Sequence, residues 1–144
     1  PLHALEPLSQ DFTLAKFSAV LNRYPNRKIK QLLMDQALIA GLGNIYTDEA
    51  CWRAGVLPVR RAGNFNEAKK KKLHRAIRTV LRQAISKKGT SANTYVQLNG
   101  SPGGFVPYLK VYGREGEKCR RCGALIKKIK LGGRGTHFCP HCQK

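Results

Sequence analysis

Four of the five cysteines stand as two C-x2-C pairs, Cys119/Cys122 and Cys139/Cys142, with sixteen residues between the pairs. No other feature restricts the fold so tightly. Each pair offers two thiolates from one tight turn, and two such turns complete a tetrahedral S4 site suited to Zn²⁺. The intervening residues read as a strand-like run, Ala124 to Leu131, then Gly132 and Gly133, then a second run from Arg134 to Phe138. That is a β-hairpin with a glycine tip. A closed four-Cys set leaves no open coordination position, so the metal holds the fold and performs no chemistry. In a module this small, zinc supplies on the order of 10 kcal/mol of folding free energy. His137 and His141 are rival ligands by type, but the thiolate set is complete without them, and His137 is expected to pack or hydrogen-bond along the hairpin. Cys51 is expected to be a small buried residue without a partner.

Upstream, IKQLLMDQALIAGLGNIYTDEACWRAG (Ile29 to Gly55) reads as helix, turn, helix. Ile29, Leu32, Leu33, Gln36 and Ala40 recur at helical spacing, which predicts a first helix running to the glycines. Gly41 and Gly43 break it through positive φ, Asn44 caps the second helix, and Gly55 occupies its left-handed C-terminal position. One reading is an αα-hairpin that fills a core. The other is a turn and helix N-terminus that grip a phosphate.

Charge favours the second reading. The chain of 144 residues carries 27 Lys and Arg against 8 Asp and Glu, a formal net charge of +19. Self-repulsion makes that excess a burden for folding, so a polyanion is the economical partner, with DNA or RNA ahead of an acidic membrane surface. No apolar stretch approaches the roughly 20 residues of a membrane span, and the N-terminus has no signal-peptide pattern. C-x2-C pairs in such a chain fit a reducing cytosol better than a secreted disulfide framework.

The remaining segments fill in a mainly α architecture. Ser9 or Asp11 is expected to cap a helix with an apolar stripe of Leu14, Phe17, Val20, Leu21 and Tyr24, ended by Pro25. Asn66 caps a long helix to about Lys88. Its buried stripe is Leu73, Ile77, Val80, Leu81, Ala84 and Ile85, and its outer surface is Lys69 to Lys72, Arg75, Arg78 and Arg82. Thr90 to Pro107 is rich in glycine, serine and asparagine and long for a connection, which marks it as functional or mobile. Tyr108 to Tyr112 is β-prone and leads towards the cysteines. Arg134 stands between Gly133 and Gly135, where the backbone allows close approach and a planar guanidinium suits phosphate or bases. The expected organisation is an entry segment over 1–8, a helix–two-turn–helix domain of about four helices over 9–112, and a small β-hairpin zinc ribbon over 113–144.

Three stretches in this order, IKQLLMDQALIAGLGNIYTDEA, VYGREGEKCRRCG and GGRGTHFCPHCQK, resemble the C-terminal part of the formamidopyrimidine-DNA glycosylase / endonuclease VIII family, closest to its bacterial 8-oxoguanine branch. The resemblance implies a parent enzyme of base-excision repair. Such an enzyme flips an oxidised purine out of the duplex, attacks with an N-terminal proline amine and cuts the strand by β,δ-elimination. It assigns the phosphate grip to Lys30, Gly43 and Asn44, and an inserted DNA contact to Arg134, with an assisting role in δ-elimination. It implies a lesion-capping loop over about 89–110, with Ser91, Tyr112 and Ile45 at the base pocket. The implied partners are duplex DNA with an oxidised base or abasic site and the N-terminal catalytic domain of the same protein. The implied setting is a monomer in the bacterial cytoplasm, associated with the nucleoid. One departure matters: the family's nucleophilic proline is followed by glutamate, whereas Pro1 precedes Leu2 and His3. Leu5 to Pro7 matches instead the entry to the helical domain. The chain is therefore expected to bind without cleaving. A non-catalytic zinc-ribbon protein that binds nucleic acid accounts for charge and cysteines equally well, but does not predict the Gly-Leu-Gly-Asn turn.

Overall fold

The computed structural model describes residues 3–89 and 106–144. Four helices precede a two-stranded antiparallel hairpin: α1 (Leu14–Arg23), α2 (Ile29–Leu33), α3 (Asn44–Ala54), α4 (Glu67–Gly89), β1 (Lys127–Leu131) and β2 (Arg134–Phe138).

The helix α1 is capped by Thr13, whose Oγ1 accepts the Lys16 N–H at 3.1 Å. The two expected caps act one turn earlier. Ser9 Oγ accepts the Asp11 N–H, and the Asp11 carboxylate pairs with Lys16. Phe17 and Leu21 seat α1 in the core.

The first helix of the Ile29–Gly55 stretch is much shorter than its periodicity predicts. It ends at Leu33, and polar side chains take over the backbone bonding. Asp35 Oδ1 accepts the Ala37 N–H at 2.9 Å. Gln36 spans the next turn, accepting the Gly41 N–H at 2.8 Å and donating to the Leu42 carbonyl at 3.2 Å. Such local side-chain bonds compete with the helical ladder. The entry segment completes the break: Leu5 donates to the Leu38 carbonyl and accepts from Ala40, forming a parallel bridge beside Ile39. The expected stripe ends with the helix: Gln36 is exposed and Ala40 half-buried, while Ile39 and Leu42 fill the core in their place.

Of the two glycines in the turn, only Gly41 has positive φ, at 83°. Gly43 is extended (φ −93°) and serves as the N-cap itself, with Asn44 as the first helical residue. Gly55 ends α3 in the left-handed conformation, as its sequence position predicts. α3 runs through the middle of the molecule and buries Thr47, Asp48 and Glu49 along with its apolar residues.

Asn66 caps α4, its Oδ1 accepting the Lys69 N–H at 2.8 Å. Leu73, Ala76, Ile77, Val80 and Ala84 face the core, whereas Ile85 is 60% exposed because it turns past the Ala84 edge of the stripe. Lys70 departs from the expected basic surface in the other direction. It lies on the Leu73–Ile77 face and is buried, with Nζ bonded to Ser18 Oγ and Asn22 Oδ1 of α1 and to Glu67.

The hairpin pairs Leu131 with Arg134 through Lys127 with Phe138. Gly132 (φ 59°) and Gly133 (φ 81°) form its two-residue tip. Both have the positive φ that matches the twist of a tight hairpin. The expected first strand starts three residues late, because Leu125 bridges Lys118 instead. A second apolar cluster of Trp52, Val111, Cys119, Ile126 and Cys139 joins this hairpin to α3. Residues 108–112 form no strand; the N–H groups of Lys110, Val111 and Tyr112 all donate to the Glu49 carboxylate at 2.8–2.9 Å.

Candidate nucleic-acid interface and metal centre

The four cysteine sulfurs lie within 4.8 Å of one another. Cys119 and Cys142 are 3.7 Å apart, and Cys122 and Cys139 are 3.3 Å apart. A tetrahedral zinc with Zn–S bonds of about 2.3 Å spaces its sulfurs by roughly 3.8 Å, so the cluster fits the ion. The surroundings suit thiolates. Backbone N–H groups of Arg121 and Cys142 point at Cys119 and Cys139 Sγ. The Trp52 indole N–H donates to Cys119 at 3.3 Å, and the Arg121 guanidinium donates to Cys142 at 3.2 Å while lying 3.9 Å over the Trp52 ring. Burial pushes the Cys119 thiol up, but the Trp52 and backbone donors outweigh it and hold the group at about 6. The four cysteines form one structural zinc site. Cys51 stands apart, buried in the helical core, with its thiol pushed up by burial.

The residues assigned to DNA contact converge on β2. Asn44 Nδ2 donates to the Gly135 carbonyl at 3.1 Å, which brings the N-terminus of α3 beside the exposed Arg134. The first N–H groups of a helix have no carbonyl within it to bond, and the helix dipole adds positive potential there. In α3 that first turn begins at Asn44. A Cβ built on Gly43 would meet nothing within 4 Å. Glycine here leaves open space, and positive φ is not its purpose. The arrangement is a basic finger beside a helix N-terminus, a geometry that accepts an anion such as a phosphate.

Lys30 is placed otherwise. It is 1% exposed. Its ammonium meets Asp48 Oδ1 at 2.9 Å, the Gly135 carbonyl at 2.9 Å and Thr136 Oγ1 at 2.7 Å. Burial lowers its pKa, and Asp48 opposes that shift. Asp48 Oδ2 accepts both the backbone N–H of His137 and a contact from its Nδ1. His137 thus bonds across to α3 and not along the hairpin. Ile45 packs half-buried against the helical core. Tyr112 is half-buried with its ring 4.6 Å from that of His137. Ser91 and most of the expected capping loop lie outside the described residues. Sequence reasoning missed Asp48, Glu49, Arg121 and Thr136. The acids carried a signal, since Thr47-Asp48-Glu49 interrupts a helix that is otherwise apolar on the same faces.

The formamidopyrimidine-DNA glycosylase H2TH domain matches residues 3–96, and the zinc finger found in FPG and IleRS matches residues 116–144. The chain belongs to the formamidopyrimidine-DNA glycosylase family. The formamidopyrimidine-DNA glycosylase of Listeria innocua is 46% identical over 139 residues, covering 96% of this chain and 50% of that protein. That of Heliobacterium modesticaldum is 49% identical over 140 residues, with the same coverage of 96% and 50%. The chain spans about half the length of these curated relatives. Among solved structures, the Lactococcus lactis Fpg complex with DNA containing an abasic site superposes with a TM-score of 0.86 at 46% identity, covering 99% of this chain and 52% of that one. A MutM complex with DNA containing carbocyclic 8-oxo-G gives 0.87 at 44% identity, covering 99% and 51%. The family's helix–two-turn–helix and zinc finger are therefore both present here. No helix among the described residues is long and apolar enough to cross a membrane.

Proposed function

We propose that this chain is the DNA-holding part of a bifunctional glycosylase and AP lyase of base-excision repair, acting on duplex DNA with an oxidised purine or an abasic site. The observation that carries the reading is the junction of Asn44 and Gly135, which sets Arg134 beside the N-terminus of α3. Base flipping costs a few kcal/mol, and phosphates held on both sides of the extruded nucleotide offset it. Arg134 supplies the inserted contact and Asn44, with the Gly43 backbone, the second grip. Ile45, Ser91 and Tyr112 belong on the base side. The nucleophile and the proton-moving glutamate belong to the N-terminal catalytic domain, so these 144 residues bind damaged duplex without cutting it. The known relatives of Listeria and Heliobacterium carry the glycosylase name, and the Lactococcus complex contains an abasic site, which supports this choice of ligand.

Two measurements test it. Affinity for duplex with a central abasic analogue should exceed affinity for the intact duplex. Borohydride treatment with abasic or 8-oxoguanine DNA should trap no covalent adduct. Equal affinity for both duplexes points to a zinc-ribbon protein that binds nucleic acid without recognising damage, and a trapped adduct would show a nucleophile within this chain.

A further inference from the structure

The resemblance gives Lys30 to the phosphates, but the geometry points to another role. We propose that Lys30 is a positioning residue, holding the strand that carries Arg134 instead of touching DNA itself. An ammonium has three N–H donors. Lys30 uses two of them on the Gly135 carbonyl and Thr136 Oγ1, and its nitrogen lies 2.9 Å from Asp48 Oδ1. At 1% exposure it offers a phosphate no open approach.

The contacts fall on consecutive residues of β2. The Gly135 carbonyl is held by Lys30 and by Asn44. Thr136 Oγ1 accepts from Lys30 and donates back to the Arg134 carbonyl at 3.2 Å. The His137 N–H is held by Asp48, the partner of Lys30. A two-stranded hairpin in water is marginal by itself, and its tip is the part freest to move. This clamp begins one residue after Arg134, where it fixes the finger's base and leaves the guanidinium exposed. It also explains why a charge is buried at all: an ammonium can grip a carboxylate, a carbonyl and a hydroxyl together, which no apolar side chain can do. The rival arrangement is an anion entering the cavity of about 130 Å³ lined by Lys30, Gln31, Met34, Leu131, Gly132 and Arg134. It requires the ammonium to leave its buried position between Asp48 and β2.

The inference rests on Arg134 meeting DNA phosphate, as proposed for the function. Its test is a double-mutant cycle on the 144-residue chain, scored on intact and abasic-analogue duplex across a salt series. Lys30→Met leaves Asp48 unpaired and can unfold the chain, so the companion variant Lys30→Met/Asp48→Asn removes both charges. Zinc content and circular dichroism establish that each variant is folded. The companion should bind about tenfold more weakly and lose the salt dependence of a single phosphate contact, a slope change of about 0.9. Adding Arg134→Ala to it should change neither quantity further. A second, additive loss in the triple variant, with a slope change of about 1.8, would make Lys30 a phosphate ligand and overturn the proposal. Wild-type affinity in the folded companion would overturn it as well. If the wild-type chain shows no preference for the abasic duplex, the functional reading falls, while the cycle on intact duplex still decides the role of Lys30.

Discussion

Glu49 is a buried carboxylate that forms no ion pair among the described residues, and three consecutive backbone N–H groups take the place of one. They are the N–H groups of Lys110, Val111 and Tyr112, the segment that links the helical domain to the zinc hairpin. Burial raises the Glu49 pKa, and the three donors offset only part of that shift. Replacing Glu49 with leucine keeps the volume but leaves three N–H groups without an acceptor. At about 1–3 kcal/mol for each unpaired buried group, Glu49→Leu should cost at least about 3 kcal/mol in urea denaturation at saturating zinc. The pH dependence has a definite sign. A carboxyl whose folded pKa is raised stabilises most below its unfolded value of about 4.3. Its contribution declines as pH rises through the folded value, so the stability gap between wild type and Glu49→Leu should narrow in that direction. A gap that widens with pH would mean the N–H groups dominate over burial.

Among the elements, the hairpin and the helical domain meet at Trp52, the chain's single tryptophan. Its indole donates to Cys119 Sγ and lies under Arg121. Zinc removal frees the four thiols and withdraws the free energy that closes the hairpin. Trp52 fluorescence should therefore change in step with zinc release on adding a chelator. Cys51 belongs to the separate helical core, so it should stay unreactive to thiol reagents while the other four cysteines become modified. Simultaneous labelling of all five would show that the two clusters unfold as one. At the hairpin tip, Gly133→Ala forces a side chain to φ 81° and should lower zinc-loaded stability by about 1–2 kcal/mol. The hairpin was legible in sequence because turn glycines and cysteine spacing are local signals. The limits of α2 were not. Gln36 and the Leu5 bridge end that helix through contacts that periodicity does not encode. The same blindness misplaced Lys70 and Ile85: composition marks a lysine as exposed, and only the packed structure shows that Lys70 lies on the core face of α4. The expected Asn44 cap is one residue off: Gly43 is the N-cap, and the Asn44 side chain bonds to Gly135 across the interface.

Across the whole molecule, seven of the eight acids are committed to internal work. Asp11, Asp35, Asp48, Glu67, Glu115 and Glu117 pair with nearby cations, and Glu49 is held by backbone N–H groups. With 27 Lys and Arg against 8 Asp and Glu, the field of the molecule is strongly positive. Such a field raises affinity for any duplex and does not by itself distinguish a damaged one. Under the proposed function, discrimination comes from the fixed geometry at Asn44 and Arg134 and not from the exposed face of α4. This separation predicts two mutational signatures. Changing Lys71, Lys72 and Arg75 on α4 together to glutamine should weaken intact and abasic-analogue duplex by the same factor, leaving their ratio unchanged. Arg134→Ala should weaken the abasic-analogue duplex selectively, by about 1–3 kcal/mol, with zinc content intact. Fluorescence anisotropy on the two duplexes at several salt concentrations reads both. If the α4 variant changed the ratio as much as Arg134→Ala does, recognition would lie in the charge of the whole surface and not in the finger held against α3.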